Sequence, residues 1–305
     1  ILLARPAPKW GGPVEAAAVQ VDPARLKRHV EKLSIELTPR SFANVGNLNR
    51  VADYIASQFM AAGAKVRNQV FPADGNEYRN VIAEFGPGSD AVIVVGAHYD
   101  SAGELPAADD NASGVAGLIE LARLAGTLKP DLKIMLVAFT LEEPPFFGTA
   151  QMGSAVFAKS LADAEKGVKI MVALEMIGYF SDEPGSQDYP LPLLKLYYPG
   201  RGNFIAVVDQ LFSGNARKMK KIMRANTDIP VHSINAPSVL PGIDLSDHRS
   251  FWQQGFPAVM ITDTAFYRNK AYHTLRDTAD RLDYECMAQV VSGLFAYVSA
   301  MSGHH

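Results

Sequence analysis

Apolar residues follow two different rhythms along this chain. Asp22-Pro23 supplies an N-cap oxygen and then the residue tolerated at the first helical position, which predicts a helix to about Leu37. Val51, Tyr54, Ile55, Phe59 and Ala62 recur at helical spacing and predict a second helix closing at Gly63. Two extended runs, Lys65 to Phe71 and Tyr78 to Glu84, flank the turn-rich Asp74-Gly75-Asn76 and predict an antiparallel hairpin. Beyond it the rhythm changes to short, wholly apolar runs: Ala91 to Ala97, Lys133 to Phe139, Lys169 to Met176 and Pro257 to Asp263. A strand apolar on both sides is buried on both faces, as in a parallel sheet between helical layers. Helices fit between these runs at about Ser113 to Gly126, Thr149 to Ala162 and Asp247 to Gln254, with a last one at Leu282 to Val298. The pattern predicts an α/β fold, a three-layer αβα sandwich around a mixed, mostly parallel sheet.

Residues 21–303 read as one domain, with a Pro-, Gly- and Tyr-rich loop insertion near 181–202 and no internal repeat. Residues 1–20 read as an Ala- and Pro-rich tail, and His304 and His305 as a tag remnant. The absence of an initial Met fits a chain exported to the periplasm or beyond after loss of a signal segment, an expectation the residues themselves leave open. No run of about 18 apolar residues is present to span a membrane. A net charge of -3 gives no reason to expect nucleic acid as a partner. The single cysteine, Cys286, excludes an internal disulfide and a cysteine-based zinc cluster.

In an open α/β sheet, ligands bind at the carboxyl ends of the strands. His98-Tyr99-Asp100 follows the first apolar run, and Asp109-Asp110 stands at the next helix entrance. Glu142-Glu143 follows the second run, Glu175 closes the third, and Tyr272-His273 comes after the fourth. Singly, each has an ordinary explanation: a satisfied histidine, a solvated turn, an acidic N-cap. Glu175 is harder to dismiss, because a carboxylate ending a buried strand is costly unless paired or metal-bound. His98, Asp109, Glu143, Glu175 and His273 together offer three carboxylates and two imidazoles. With one carboxylate bridging, two Zn(2+) ions each gain three protein ligands and keep an open position. Glu142 is then free to act as general base toward a metal-bridging water, and Asp100 to fix the His98 tautomer.

The segments GAHYDS, AADDNASG, AFTLEE, ALEMIG, SDHRSFWQQGFPAVMITD and AYHTLRDT resemble, in order, the motifs of the di-zinc exopeptidases of metallopeptidase family twenty-eight. The resemblance implies a zinc-exopeptidase fold, with Asp109 as the bridging ligand. His98 and Glu175 would sit on one zinc, Glu143 and His273 on the other, with a cis peptide between Asp109 and Asp110. Some members bind the oxyanion with a Tyr where this chain has Ile243; the glutamate carboxypeptidase branch has a Tyr before its last His, which Tyr272 matches. Tyr272 is therefore the oxyanion candidate. The run from Glu142 to Phe147 replaces a commoner Gly-containing turn. The resemblance points to an aminopeptidase acting on peptides. The alternatives are a glutaminyl cyclase-like acyltransferase with one zinc, and a non-catalytic binding module of the kind that has lost ligands. His248 is expected to serve packing or to support a ligand from behind, without ligating itself, and His29 and His232 to lie at the surface. Tyr197, Tyr198, Phe204 and Tyr267 are candidates for a substrate pocket.

Overall fold

The computed structural model describes residues 21–303, so the predicted tail and tag lie outside the described residues. Asp22 caps α1 (Pro23–Glu31) by accepting from the Ala24 amide, and a wider π-helical turn (Lys32–Glu36) continues it. α2 (Val45–Ala61) starts earlier than the apolar repeat suggested, because Asn44 caps it by accepting from the Asn47 amide. β1 (Lys65–Ala73) and β2 (Asn76–Phe85) form the expected hairpin. There follow β3 (Ala91–His98), α3 (Gly114–Ala125), β4 (Lys133–Phe139), α4 (Gly153–Asp163) and β5 (Gly167–Glu175). The chain closes with β6 (Ile205–Gln210), α5 (Asn215–Asn226), β7 (Val231–Ala236), α6 (His248–Gln253), β8 (Ala258–Thr262) and α7 (Tyr284–Met301).

The eight strands lie in the order β1-β2-β4-β3-β5-β8-β6-β7. β4, β3, β5 and β8 run parallel at the centre, and their side chains alternate between two buried faces. Ile134, Leu136 and Ala138 join the core under α1, α2, α3, α5 and α7, whereas Met135, Val137 and Phe139 join the core under α4 and α6. That alternation of buried residues is why these strands read as unbroken apolar runs. From β3 the chain moves outward to β4 on one side and later to β5 on the other, so the carboxyl ends of these strands border a switch-point crevice.

The β6–α5–β7 unit was not predicted. Its strands are short, and β7 mixes polar with apolar residues because only its ends are fully buried. β6 runs antiparallel to β8, which turns the start of β6 toward the crevice and widens the sheet beside it. The segment between β5 and β6 holds a short 3-10 turn (Pro192–Leu196) and leans on the same side, where the loop insertion was expected.

Candidate metal centre

Each carboxyl edge of the parallel strands delivers a polar side chain to one place. His98 is the last residue of β3 and Glu175 the last of β5. Glu142 and Glu143 follow β4, with Asp100 beneath them: its two carboxylate oxygens accept from the Glu142 amide (3.1 Å) and the Glu143 amide (3.0 Å). His98 Nδ1 donates to the Asp100 carbonyl at 3.2 Å, with the Asp100 carboxylate at 3.6 Å. The sequence reading that Asp100 fixes the His98 tautomer thus meets a geometry in which the carbonyl is the nearer partner. The proton on Nδ1 leaves Nε2 as the free ligand nitrogen.

His98 Nε2 stands 3.4 Å from Asp110 Oδ1 and 3.4 Å from Glu175 Oε2. On the other side, His273 Nε2 stands 3.0 Å from Asp110 Oδ2 and 3.2 Å from Glu143 Oε1. Two groups able to hold an ion result, His98–Asp110–Glu175 and Asp110–Glu143–His273, joined by the two oxygens of Asp110. Ligand atoms about 2.0–2.2 Å from a tetrahedral ion are about 3.3–3.6 Å apart, so this spacing fits a metal. His98 Nε2 and Glu143 Oε1 are also buried without a hydrogen-bond partner among the described residues. An orphaned pair of that kind is expected where a cation belongs.

The shared carboxylate is Asp110, which corrects the expectation of Asp109. The Asp109 side chain points the other way, accepting from the Gly178 amide (3.0 Å) and Asn269 Nδ2 (2.9 Å). Asp277 sets this division by accepting from the amides of both Asp109 and Asp110. The backbone is non-helical at Asp110 (φ -104°, ψ 88°) and Asn111 (φ -133°, ψ 41°), so neighbouring side chains diverge instead of following a helical face. The cis peptide is likewise one residue on, between Asp110 and Asn111. Asn111 holds this turn to the exit of β5, donating to the Leu174 carbonyl and accepting from the Gly114 and Met176 amides. Asp277, Asn111 and Asn269 were missed by the sequence reading. The NAS and RDT portions of the quoted segments contained two of them, without a ligand spacing to single them out.

Backbone geometry is also unusual around the cluster. Ala107 (φ 51°), Leu141 (φ 58°), Met176 (φ 48°) and His273 (φ 53°) all adopt left-handed conformations without being glycine. Such residues cost of order 1–3 kcal/mol each and gather where a site over-determines the chain.

Nine carboxylates are buried at or beside the cluster: Asp100, Asp109, Asp110, Glu142, Glu143, Glu175, Asp247, Asp263 and Asp277. Burial raises Glu142, with Glu175 and Glu143 adding to the effect, and burial also raises Glu175. Burial and Asp110 push Glu143 up to about 7, and burial lifts Asp247 and Asp277 to about 7. For His273, burial is outweighed by Asp110 and Glu143, which raise it to about 10. Asp110 moves the opposite way: burial is overcome by His273 and His98, which hold it below its usual range.

These shifts set a pH dependence for protein stripped of metal. Groups with raised values keep protons in the fold that the unfolded chain has released. Their stabilisation is complete below the unfolded values and is lost as pH rises through about 7 for Glu143, Asp247 and Asp277, and about 10 for His273. His248 and His232, lowered by burial to about 4, act only below their unfolded value near 6.5. Chelated protein should therefore melt about 5 °C or more lower at about pH 9 than at about pH 6.5, and metal should shrink the difference. A melting temperature that rises over this interval would contradict the assignment of these protons.

Tyr272 stacks on His273 with ring centroids 3.8 Å apart, beside Glu175 at the mouth of an apolar cavity of about 110 Å³. Its hydroxyl is raised by burial and by Asp110 and Glu143. Tyr198, Phe204 and Tyr267 line the same cavity, as does Ile243, whereas Tyr197 is half exposed and does not. His248 is buried, bonded to the Ile243 carbonyl and packed edge-on against Trp252, away from the cluster. His29 is buried rather than superficial, because Tyr54 and Glu120 partner it. His232 is half-buried at the cavity wall between Tyr198 and Phe204.

A parallel sheet with a carboxylate–imidazole cluster along its carboxyl edge is the architecture of a metal-dependent hydrolase. The chain belongs to peptidase family M28, whose model matches residues 80–298. It is 49% identical to the uncharacterized protein YfbL of Escherichia coli K12 over 93% of this chain and 90% of that one. It is 24% identical to leucine aminopeptidase 1 of Metarhizium robertsii over 96% of this chain and 73% of that one. A zinc aminopeptidase from Bacillus subtilis shares the fold with a TM-score of 0.73 at 16% identity, covering 92% of this chain and 95% of its own. Glutaminyl cyclase from Bacteroides thetaiotaomicron shares it with a TM-score of 0.66 at 20% identity, covering 92% and 98%. No helix among the described residues is long and apolar enough to cross a membrane.

Proposed function

We propose that this peptidase is a two-zinc aminopeptidase that removes apolar N-terminal residues from peptides. The observation that carries the reading is the pair of three-residue groups sharing Asp110, with Glu142 beside them. His98, Asp110 and Glu175 would hold one ion, and Asp110, Glu143 and His273 the other. Zinc bound there supplies a Lewis acid that polarises the scissile carbonyl and eases ionisation of the attacking water. Glu142 belongs to neither group, yet its Oε2 is 3.9 Å from His98 Nε2. From that position its carboxylate takes the proton of the attacking water and returns it to the leaving amine. Asp100, bonded to both glutamate amides, keeps the base and its neighbouring ligand in register. Tyr272 donates its hydroxyl to the developing oxyanion. The surplus of buried carboxylates attracts the ammonium of a free N-terminus, and the adjoining cavity takes its side chain.

A complete second group, Asp110–Glu143–His273, favours this reading over a one-zinc cyclase, and the full ligand set favours it over a binding module. The test is a panel on zinc-loaded protein with its zinc content counted. The expected result is two zinc ions per chain and hydrolysis of Leu-p-nitroanilide but not of its N-acetylated form. One zinc and release of ammonia from Gln-peptides would replace the proposal with the cyclase reading. Cleavage of neither would leave the binding module.

A further inference from the structure

The apolar cavity beside the cluster has a floor of β6, β7 and β8, through Val208, Ile234 and Met260, and much of its aromatic wall comes from two loops. The segment between β5 and β6 contributes Tyr189, Leu194 and Tyr198, and the segment after β8 contributes Phe266, Tyr267 and Tyr272. The position of that wall depends on what holds these loops together. Asp188 donates its amide to the Tyr267 carbonyl at 2.8 Å, and Gln187 donates to Thr264 Oγ1 at 2.9 Å. Both bonds lie next to one side chain, Arg268, which is 2% exposed.

The Arg268 guanidinium makes contacts in three directions. Nε donates to Gln187 Oε1 at 2.9 Å, and Nη1 donates to the Tyr179 carbonyl at 3.1 Å. Its carbon lies 4.6 Å from the Phe204 ring centroid and 5.6 Å from that of Phe180. Gly202 lets the chain pass over it, since a Cβ there would stand 2.6 Å from Arg268 Cδ and Nε. Nη2 is buried with no partner among the described residues. A buried cation with an unspent donor is costly, and a packing role alone would be met by an apolar side chain. The planar fork is what allows one side chain on the segment after β8 to bond the segment between β5 and β6 at two points, Gln187 and Tyr179, while lying against two aromatic rings, which a lysine cannot do.

We infer that Arg268 is a positioning residue that sets the width of the cavity and thereby selects large N-terminal side chains. It acts through Gln187 and Phe204 and touches neither the metal groups nor Glu142. The inference rests on the aminopeptidase reading. Its test uses zinc-loaded wild type, Arg268→Lys and Gln187→Ala with aminoacyl-methylcoumarin substrates carrying Leu or Ala. For Arg268→Lys, KM for the Leu substrate should rise about tenfold with kcat within about twofold, while both constants for the Ala substrate stay within about twofold. Gln187→Ala should shift the same ratio in the same direction by a smaller factor, and it carries the test if Arg268→Lys does not fold. Equal losses on Leu and Ala, or no change of the ratio, would overturn the role of Arg268 and leave the aminopeptidase reading standing. A zinc-loaded wild type that hydrolyses neither substrate overturns both.

Discussion

An Asp110→Ala protein is expected to lose metal from both halves of the centre at once. The two oxygens of Asp110 face His98 Nε2 at 3.4 Å and His273 Nε2 at 3.0 Å, so removing them strips a ligand from each group. Partners behind metal ligands usually cost about 10–100-fold in affinity, and loss of a shared ligand should exceed about 100-fold. The informative companion is Asp109→Asn. Burial and Asp263 hold the Asp109 carboxyl well above its usual range, so a neutral amide changes the charge there little. Its bonds to Gly178 and Asn269 support the turn from behind, and disturbing them should cost only about tenfold in zinc affinity. Zinc titration with a chromogenic chelator separates the two. If Asp109→Asn loses more zinc than Asp110→Ala, the shared position has been misassigned.

The second large effect is expected from Glu142→Gln. Glu142 lies outside both ligand groups, so the variant should keep its full zinc content and bind substrate with little change in KM. Turnover should fall by about 10²–10⁴, the range associated with removing a positioned general base. The backbone contribution is protected, since the Glu142 amide still donates to Asp100. Loss of zinc from this variant would make Glu142 a ligand, and undiminished turnover would move the base elsewhere. A Glu142→Asp protein, whose carboxylate is one methylene shorter, should recover part of the loss if proton transfer is what the residue does.

The cluster also explains why the fold carries so much buried charge. Nine buried carboxylates beside two imidazoles are a poor core by themselves, and the raised values of Glu142, Glu143 and Glu175 express that cost. Bound cations would reverse it, so the same residues that weaken the empty centre at high pH would tie the ends of β3, β4 and β5 to the segment after β8.

Much of this was legible in the amino-acid order. Runs such as Lys133 to Phe139 cannot be buried on one face alone, so they dictated central parallel strands and, with them, the edge where chemistry gathers. His98 and Glu175 were fixed by being the last residues of such strands. The order of residues did not distinguish Asp109 from Asp110, because in an irregular turn side-chain direction depends on local φ and ψ and on the carboxylate of Asp277, far along the chain. Nor did it reveal β6 and β7, whose short and partly polar strands have meaning only beside β8. Tyr198, Phe204 and Tyr267 stood out in the sequence as pocket candidates, but the cavity that gathers them, and the reach of Arg268 between its two loops, were decided by tertiary structure. Burial pattern is a property of neighbours in sequence, whereas the aim of a side chain in a loop is settled by whatever distant groups pack against it.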